Sequence, residues 1–149
     1  MKNLFQPEAL EEIKQRMQKL QPNTERLWGK MEVAQMLAHC SAAMEVAVGD
    51  KHPPRIFIGR LIGPFIKSVF TNEKPLRKST PTDKSFLVID QRNFEKEKSR
   101  LLELVERFSK GGPQKVTTHP HSSFGKLTPV EWSTGMYKHL DHHLRQFGV

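Results

Sequence analysis

Cysteine is nearly absent from this chain of 149 residues, which contains only Cys40. A single cysteine cannot form an internal disulfide, so the composition favours a reducing compartment, and we expect a cytoplasmic protein. No segment reaches the roughly 20 consecutive apolar residues of a membrane-spanning helix. The N-terminal segment MKNLFQPEALEEIKQRM carries charges within its first turns, and we therefore expect no secretory signal in it.

Several motifs that would assign a chemistry are also missing. The chain has no Cys-x-x-Cys pair, which argues against a structural zinc module. The C-terminal histidine cluster reads His139-Leu-Asp-His-His, so the glutamate base of the zincin motif is not there. There is no glycine-rich phosphate-binding loop, because Gly111-Gly112-Pro113 is typical of the end of a helix.

Acidic residues are few: 16 Asp and Glu stand against 24 Lys and Arg, which gives a net charge of +8. The imbalance is concentrated between residues 51 and 80, where seven basic residues accompany one acid, Glu73. This basic stretch could contact an anionic substrate, a membrane surface or nucleic acid, and a solvated surface without a partner fits it equally well. A nucleic-acid or anionic-membrane binder ranks lowest among the functions discussed below, because the stretch contains phenylalanines but no recognised nucleic-acid-reading motif.

Four helices are predicted from apolar periodicity and flanking caps. The fourth has the clearest start, because Thr128, Pro129 and Glu131 combine an N-cap, a first-position proline and a capping-box glutamate. The predicted helices cover residues 7–20, 31–48, 94–110 and 129–147. They indicate an all-α fold, a four-helix bundle in which residues 1–149 form a single domain.

The segment between the second and third predicted helices is less regular. It contains IFIGRLIGPFIKSVF, an apolar run interrupted by Gly59, Gly63 and Pro64, so we expect any helix there to be short or kinked. The sequence thus predicts a long irregular basic connection over residues 52–80, which either covers one end of the bundle or forms a lid over a site. Residues 85–89, SFLVI, are the only strand-like run and fit an extended connection.

Histidines on two helices form the candidate site. At about 100° per residue, His139 and His143 fall on the buried face of the fourth helix, whereas His142 lies to one side. This i, i+4 spacing is the one used by helical metal sites. A third ligand is available in His39, which flanks the apolar face of the second helix beside small residues. The alternative is that these are hydrogen-bonded core histidines or residues stabilised near a helix C-terminus, and the pattern by itself does not decide between the two.

Cys40 follows His39 directly and could be a nucleophile. A small buried core residue is the interpretation that its position on an apolar helix face favours.

Three segments resemble a family of uncharacterised bacterial proteins within the DinB-like superfamily. They are WGKMEVAQMLAHC (28–40), TPTDKSFLVIDQRNFEKEKSRLLELVERF (80–108) and FGKLTPVEWSTGMYKHLDHHLRQFG (124–148). The resemblance implies a four-helix bundle whose members commonly bind a divalent metal, such as zinc or nickel, through three histidines, which correspond to His39, His139 and His143. It also implies a link to thiol S-transferases that use low-molecular-weight thiols, and to homodimers. His121, in HPHSSFG, resembles part of the same pattern, as a structural loop residue, a fourth ligand or a proton shuttle.

These observations together lead to one functional expectation and one alternative. We expect a metal-dependent enzyme with an open coordination position, either a thiol-dependent transferase or a hydrolase using metal-activated water. Its substrate would be a small molecule, anionic or thiol-containing, held in part by the basic stretch. The alternative is a non-catalytic helical bundle that binds a ligand or a partner. No residue is assigned a catalytic or cofactor-binding role beyond the metal ligands.

Overall fold

The computed structural model describes residues 1–80 and 83–149, with residue 64 described by its backbone alone. Helices account for the regular structure of these residues, and no strand occurs among them, so the all-α prediction is confirmed. Five α-helices occur in this part of the chain: α1 (Pro7–Gln18), α2 (Val33–Ala47), α3 (Phe57–Thr71), α4 (Phe94–Gly111) and α5 (Pro129–Gln146). Short 3₁₀ turns cover Lys84–Phe86 and Pro113–Lys115. Positions 81 and 82, inside the second segment of resemblance, lie outside the described residues.

The helix starts follow the capping residues that the sequence predicted. α1 begins at Pro7, and the Asn93 side chain accepts a hydrogen bond from the Lys96 N–H at the start of α4. At α5 the Thr128 hydroxyl accepts from the Glu131 N–H at 3.2 Å, and the Glu131 carboxylate accepts from the Thr128 N–H at 2.7 Å. These bonds satisfy amide groups that have no partner within the helix.

The core lies where α1, α2, α4 and α5 meet. Both α1 and α2 pack against α4 and α5, so the four helices share one apolar interior. Its largest fully buried side chains include Trp132, Ile13, Met17, Leu37, Leu101 and Leu140. None of the helices in residues 1–80 and 83–149 combines the length and apolar character needed to cross a membrane.

The prediction of an irregular connection over residues 52–80 was wrong for its central part. α3 is a continuous helix of 15 residues that passes through Gly59, Gly63 and position 64. The two glycines are one turn apart and face the backbone of Ser123, where an added Cβ would stand 2.7 Å and 2.6 Å from the Ser123 carbonyl oxygen. They allow close packing of a helix rather than break it, because a side chain at either position would prevent this contact.

α3 is also held at its C-terminal end. The Lys138 ammonium of α5, itself buried, donates to the carbonyl oxygens of Val69 and Asn72 at 2.5 and 3.0 Å and to the Asn72 side chain at 2.8 Å. Phe70 packs on Gly135 so closely that a Cβ there would overlap its ring. Farther along, the strand-like run 85–89 forms no strand: a 3₁₀ turn covers Lys84–Phe86, and extended backbone follows at Leu87.

Candidate metal centre

Three histidines from two helices meet in the interior. His39 of α2 and His139 and His143 of α5 each present a ring nitrogen, and these three nitrogens lie within 4.8 Å of one another. The Nε2 atoms of His39 and His139 are 3.0 Å apart. The ring centroids are separated by 4.7 to 4.9 Å. The structure therefore brings together the three histidines that sequence reasoning selected.

The local sequence explains why the rings converge. His139 and His143 are one turn apart on α5, so both rings project from the same side of that helix. α2 packs against α5 and carries Ala38, Ala42 and Ala43 around His39. These small side chains leave space for imidazoles between the helices. His39 and His143 are buried, with 4% and 8% of their surface exposed, whereas His139 is only partly buried.

Hydrogen bonds orient two of the rings. His39 Nδ1 lies 2.8 Å from the carbonyl oxygen of Phe86, which can only accept, so Nδ1 carries the proton. His143 Nδ1 lies 2.8 Å from Gln146 Oε1, and the Gln146 Nε2 donates to the carbonyl of Trp28 at 2.8 Å. With Nδ1 protonated in both rings, each Nε2 carries a lone pair that can face a cation, which is how outer partners fix metal-binding histidines. Without an ion, the His39 Nε2 lone pair lies 3.0 Å from His139 Nε2, the distance of a hydrogen bond between the two rings.

The electrostatics keep the three rings neutral. Burial lowers the pKa of His39. Burial lowers the pKa of His139 well below its ordinary value, and the neighbouring His143 and His39 imidazoles lower it further. Burial and the nearby His39 ring lower the pKa of His143 to about 3. Near pH 7 each ring therefore holds a lone pair rather than a second proton.

The donor set fits a divalent transition-metal ion. Nitrogens that bind zinc tetrahedrally at about 2.0–2.1 Å stand about 3.3 Å apart. The 3.0 Å separation between the Nε2 atoms of His39 and His139 lies near this spacing. The 4.8 Å limit within which all three nitrogens lie is wider than it by about 1.5 Å. Neutral imidazole suits zinc, nickel, copper and iron, whereas calcium and magnesium prefer oxygen. Three histidine ligands would leave at least one coordination position of such an ion open.

The other histidines of the cluster have different surroundings. His142 is half-buried and lies edge-on to Trp28 and to His143, at 5.8 and 5.1 Å between ring centroids, outside the group of three. His121 is buried, and its Nδ1 accepts from the N–H groups of Ser123 and Phe124 at 3.1 and 3.4 Å. It thus shapes its own loop and is not one of the three close-set histidines.

Cys40, Arg55 and Lys67 do not join the site. Cys40 is 1% exposed, and burial raises the pKa of its thiol far above the ordinary value, so it is a core residue rather than a nucleophile. Arg55 donates to the carbonyl oxygens of Ser122 and Gly59, and Lys67 pairs with Glu131 at 2.8 Å. These two basic residues serve the scaffold, and nothing in their contacts connects them to the three histidines.

Sequence reasoning missed the partners that orient the rings. Gln146 follows His143 by three residues on α5, a spacing that could have suggested the contact. Phe86 acts through its backbone carbonyl, which carries no signal in the sequence.

A cavity of about 270 Å³ lies beside Phe86 and extends along α2. It is lined by Ala42, Val46, Lys51, His52, Pro53, Ser85 and Phe86.

The comparisons with known proteins identify the family but add no activity. No curated protein and no solved structure matches the chain. The family described as "Protein of unknown function (DUF1569)" matches residues 2–148, which is nearly the whole chain. The three histidines, their ring-orienting partners and the helices that carry them all lie within the matched residues. The chain belongs to the family of proteins of unknown function DUF1569.

Proposed function

We propose that His39, His139 and His143 bind a divalent metal ion, zinc or nickel, and that this ion is the centre of a metal-dependent enzyme. The observation that carries the proposal is the convergence of three neutral imidazoles, two of them with Nδ1 already engaged by a protein oxygen. A hydrogen-bonded core histidine needs no second and third histidine against it. Three imidazoles in contact, two of them buried, are difficult to explain by packing, because an imidazole is costlier to bury than an apolar side chain.

We further propose that the fold is a DinB-like four-helix bundle formed by α1, α2, α4 and α5, and that residues 1–149 are one domain. Support comes from the shared core of these helices and from the three segments of sequence resemblance. In this proposal α3 is an addition to the bundle, packed on α5. A cytoplasmic location is consistent with the single cysteine, Cys40, which is buried as a free thiol.

The proposed chemistry is a thiol-dependent transfer or a hydrolysis. A divalent ion in this site would supply Lewis acidity, lowering the pKa of a thiol or water that reaches it. The residues of the chain would hold the ion, keep the three rings neutral and leave at least one coordination position for the substrate. The substrate would be a small molecule, such as a low-molecular-weight thiol, that reaches the ion. The cavity beside Phe86 is not assigned to it, because none of the three histidines lines that cavity. Further catalytic residues are not assigned.

A non-catalytic ligand- or partner-binding bundle is the alternative, and one observation favours it. In the described part of the chain no cysteine or carboxylate joins the three histidines, and Cys40 is buried in the core. A metal site without a neighbouring acid, base or nucleophile could serve to bind a ligand rather than to transform it.

Metal content tests the proposal directly. Untagged protein prepared without a nickel column should contain about one zinc or nickel ion per chain, measured by mass spectrometry of the metal. His139→Ala and His143→Ala should each remove most of that ion. His142→Ala is the matched control, since it removes a histidine from the same helix but outside the group, and it should retain the ion. An ion-free protein that also fails to bind added zinc or nickel would contradict the proposal.

A second measurement separates the enzyme from the alternative. Low-molecular-weight thiols with electrophilic acceptors, and a panel of hydrolysable esters, are offered to the metal-loaded protein. Turnover that is lost in His139→Ala but kept in His142→Ala supports the enzyme, whereas bound metal without turnover supports a binding protein.

A further inference from the structure

The outer side of α3 is apolar and exposed. Six large side chains project from it, and all are exposed: Phe57, Ile58, Leu61, Ile62, Phe65 and Val69. At about 100° per residue they occupy an arc of about 140° on the helix, so they form one continuous face. We call these six residues the α3 face. Together they expose on the order of several hundred Å² of apolar surface, which is the size at which such a patch indicates a binding site.

This face belongs to a fixed helix. Its opposite side packs through Gly59 and Gly63 on the Ser123 backbone and through Phe70 on Gly135. Lys138 holds the C-terminal carbonyl groups of the helix. The apolar side chains are therefore presented outward by a helix whose other side is anchored, and they do not result from a frayed segment.

Positive charge is concentrated in the part of the sequence that contains the α3 face. The stretch 51–80 that contains it has seven basic residues and one acid, Glu73. Arg60 is exposed on α3 itself, and Lys74, Arg77 and Lys78 are exposed in the segment that follows. Glu73 lies 3.8 Å from the N-terminal ammonium group, which offsets its charge. A partner that binds this surface should therefore present both apolar groups and negative charge.

We propose that the α3 face binds the surface of an anionic lipid bilayer, with α3 lying in the plane of the interface. Helices of this kind bury their apolar side about 5–10 Å into the boundary between headgroups and acyl chains, while Lys and Arg contact anionic headgroups. The six apolar residues meet the first requirement. Arg60 on α3, with Lys74 and Arg77 in the segment that follows, supplies the exposed positive charge of the second. α3 would lie on the membrane rather than cross it, in agreement with its length of 15 residues.

A bilayer fits the surface better than a second copy of the chain does. A two-fold interface on α3 would bring together two chains of net charge +8, each with its basic stretch at the contact. A bilayer also accepts a convex surface. The α3 face is the outer side of a single helix, and among the described helices α3 packs only on α5, so the face offers no groove for a peptide.

Vesicle binding by the whole protein tests the proposal. The protein should co-sediment with vesicles of phosphatidylserine and phosphatidylcholine, and less with phosphatidylcholine alone, and binding should weaken as salt screens the charges. The double variant Phe57→Ser and Phe65→Ser, at positions 77% and 80% exposed, should lower the partition coefficient at least about tenfold. The matched control is Leu27→Ser with Ile89→Ser, at positions 70% and 80% exposed outside α3, and it should bind as the original protein does.

Charge is tested by a second pair of variants. Arg60→Gln with Arg77→Gln should weaken binding to the anionic vesicles by about fivefold for each charge removed. Lys96→Gln with Lys115→Gln removes the same charge from exposed positions outside the stretch, and it should have a smaller effect. Circular dichroism of each variant verifies that the helices remain folded.

Four results would overturn the proposal. The first is that the protein binds neither kind of vesicle, and the second is that the α3 variant and the control variant lose vesicle binding equally. The third is a dimer that forms without lipid and that Phe57→Ser with Phe65→Ser dissociates. The fourth is salt-sensitive binding to single-stranded RNA that is tighter than binding to vesicles. The third would assign the face to a second copy, and the fourth would assign the basic stretch to nucleic acid. The metal site plays no part in this test, so its outcome is independent of the proposed function.

Discussion

At the scale of single residues, the three histidines differ in how their rings are held. His39 donates to a backbone carbonyl, that of Phe86, whose position depends on the turn at Lys84–Phe86. His143 is held by a side chain, Gln146, which is held in turn by the carbonyl of Trp28. No substitution at residue 86 removes a backbone oxygen, whereas the Gln146 amide can be deleted. Gln146 is therefore the residue at which the contribution of ring orientation can be measured.

Gln146→Ala should weaken metal binding while leaving all three ligands in place. The His143 ring loses the acceptor that keeps the proton on Nδ1 and its Nε2 lone pair free, and loss of such a partner commonly costs about 10–100-fold in metal affinity. Competition with a chromophoric chelator measures this change. Gln146→Glu keeps an acceptor for Nδ1–H and should recover much of the affinity.

Arg145→Ala is the control for Gln146, because Arg145 is the exposed neighbour and pairs with Asp141 on the outside of α5. It should bind the ion as the original protein does. Equal affinity in Gln146→Ala and the original protein would mean that Gln146 only packs against His143, and that the ring is oriented by the ion itself.

At the scale of elements, α3 shows how a tertiary contact changes the meaning of a residue. Gly59 and Gly63 lower helix propensity when considered alone, and that consideration predicted an irregular connection. In the fold they lie against the Ser123 backbone, where an added Cβ at either position would stand within 2.7 Å of the Ser123 carbonyl oxygen. The information that separates the two roles lies in residues 121–125, about 60 positions along the chain, so no local pattern could supply it.

Gly63→Ala should destabilise α3 although alanine is the better helix former. The gain in propensity is about 1 kcal/mol, but the new Cβ would stand 2.6 Å from the Ser123 carbonyl oxygen, a backbone atom that cannot rotate away. Hydrogen exchange should show faster exchange of α3 amides, with those of α2 and α4 little changed.

Ser68→Ala gives the opposite expectation in the same helix. Ser68 is exposed, so this change raises helix propensity without a clash, and protection of α3 should stay the same or increase slightly. If Gly63→Ala protects α3 as well as Ser68→Ala does, the close approach to Ser123 is not what positions the helix.

At the scale of the whole molecule, local sequence patterns predict the helix starts and the candidate metal ligands better than they predict the groups that surround the site. Pro7, Asn93 and Thr128 act locally, so their helix starts could be predicted. His139 and His143 share a helix, and their common side follows from their spacing alone. His39 could be added because it flanks an apolar face, but its distance from His139 depends on how α2 packs on α5, which spacing does not give. The carbonyls of Phe86 and Trp28 belong to loops and could not have been predicted.

Acid should destabilise the metal-free protein from about pH 6.5 downward. Burial lowers the pKa of His121 to about 4 and that of His143 to about 3 in the folded chain, whereas in the unfolded chain both groups have ordinary values near 6.5. Between these pKa values the unfolded chain binds more protons than the folded chain. The stability is therefore fully present above the pKa of the unfolded chain and is lost as pH falls toward the pKa values of the folded chain.

Each such histidine makes the free energy of unfolding fall by about 1.4 kcal/mol per pH unit. Urea denaturation at pH 7.5, 6 and 5 measures this slope, and His121→Phe should reduce it by up to that amount. Stability that stays constant or rises from pH 6.5 to 5 would mean that the buried rings take up protons in the folded protein, and with protonated rings the three histidines could not be poised to bind a cation.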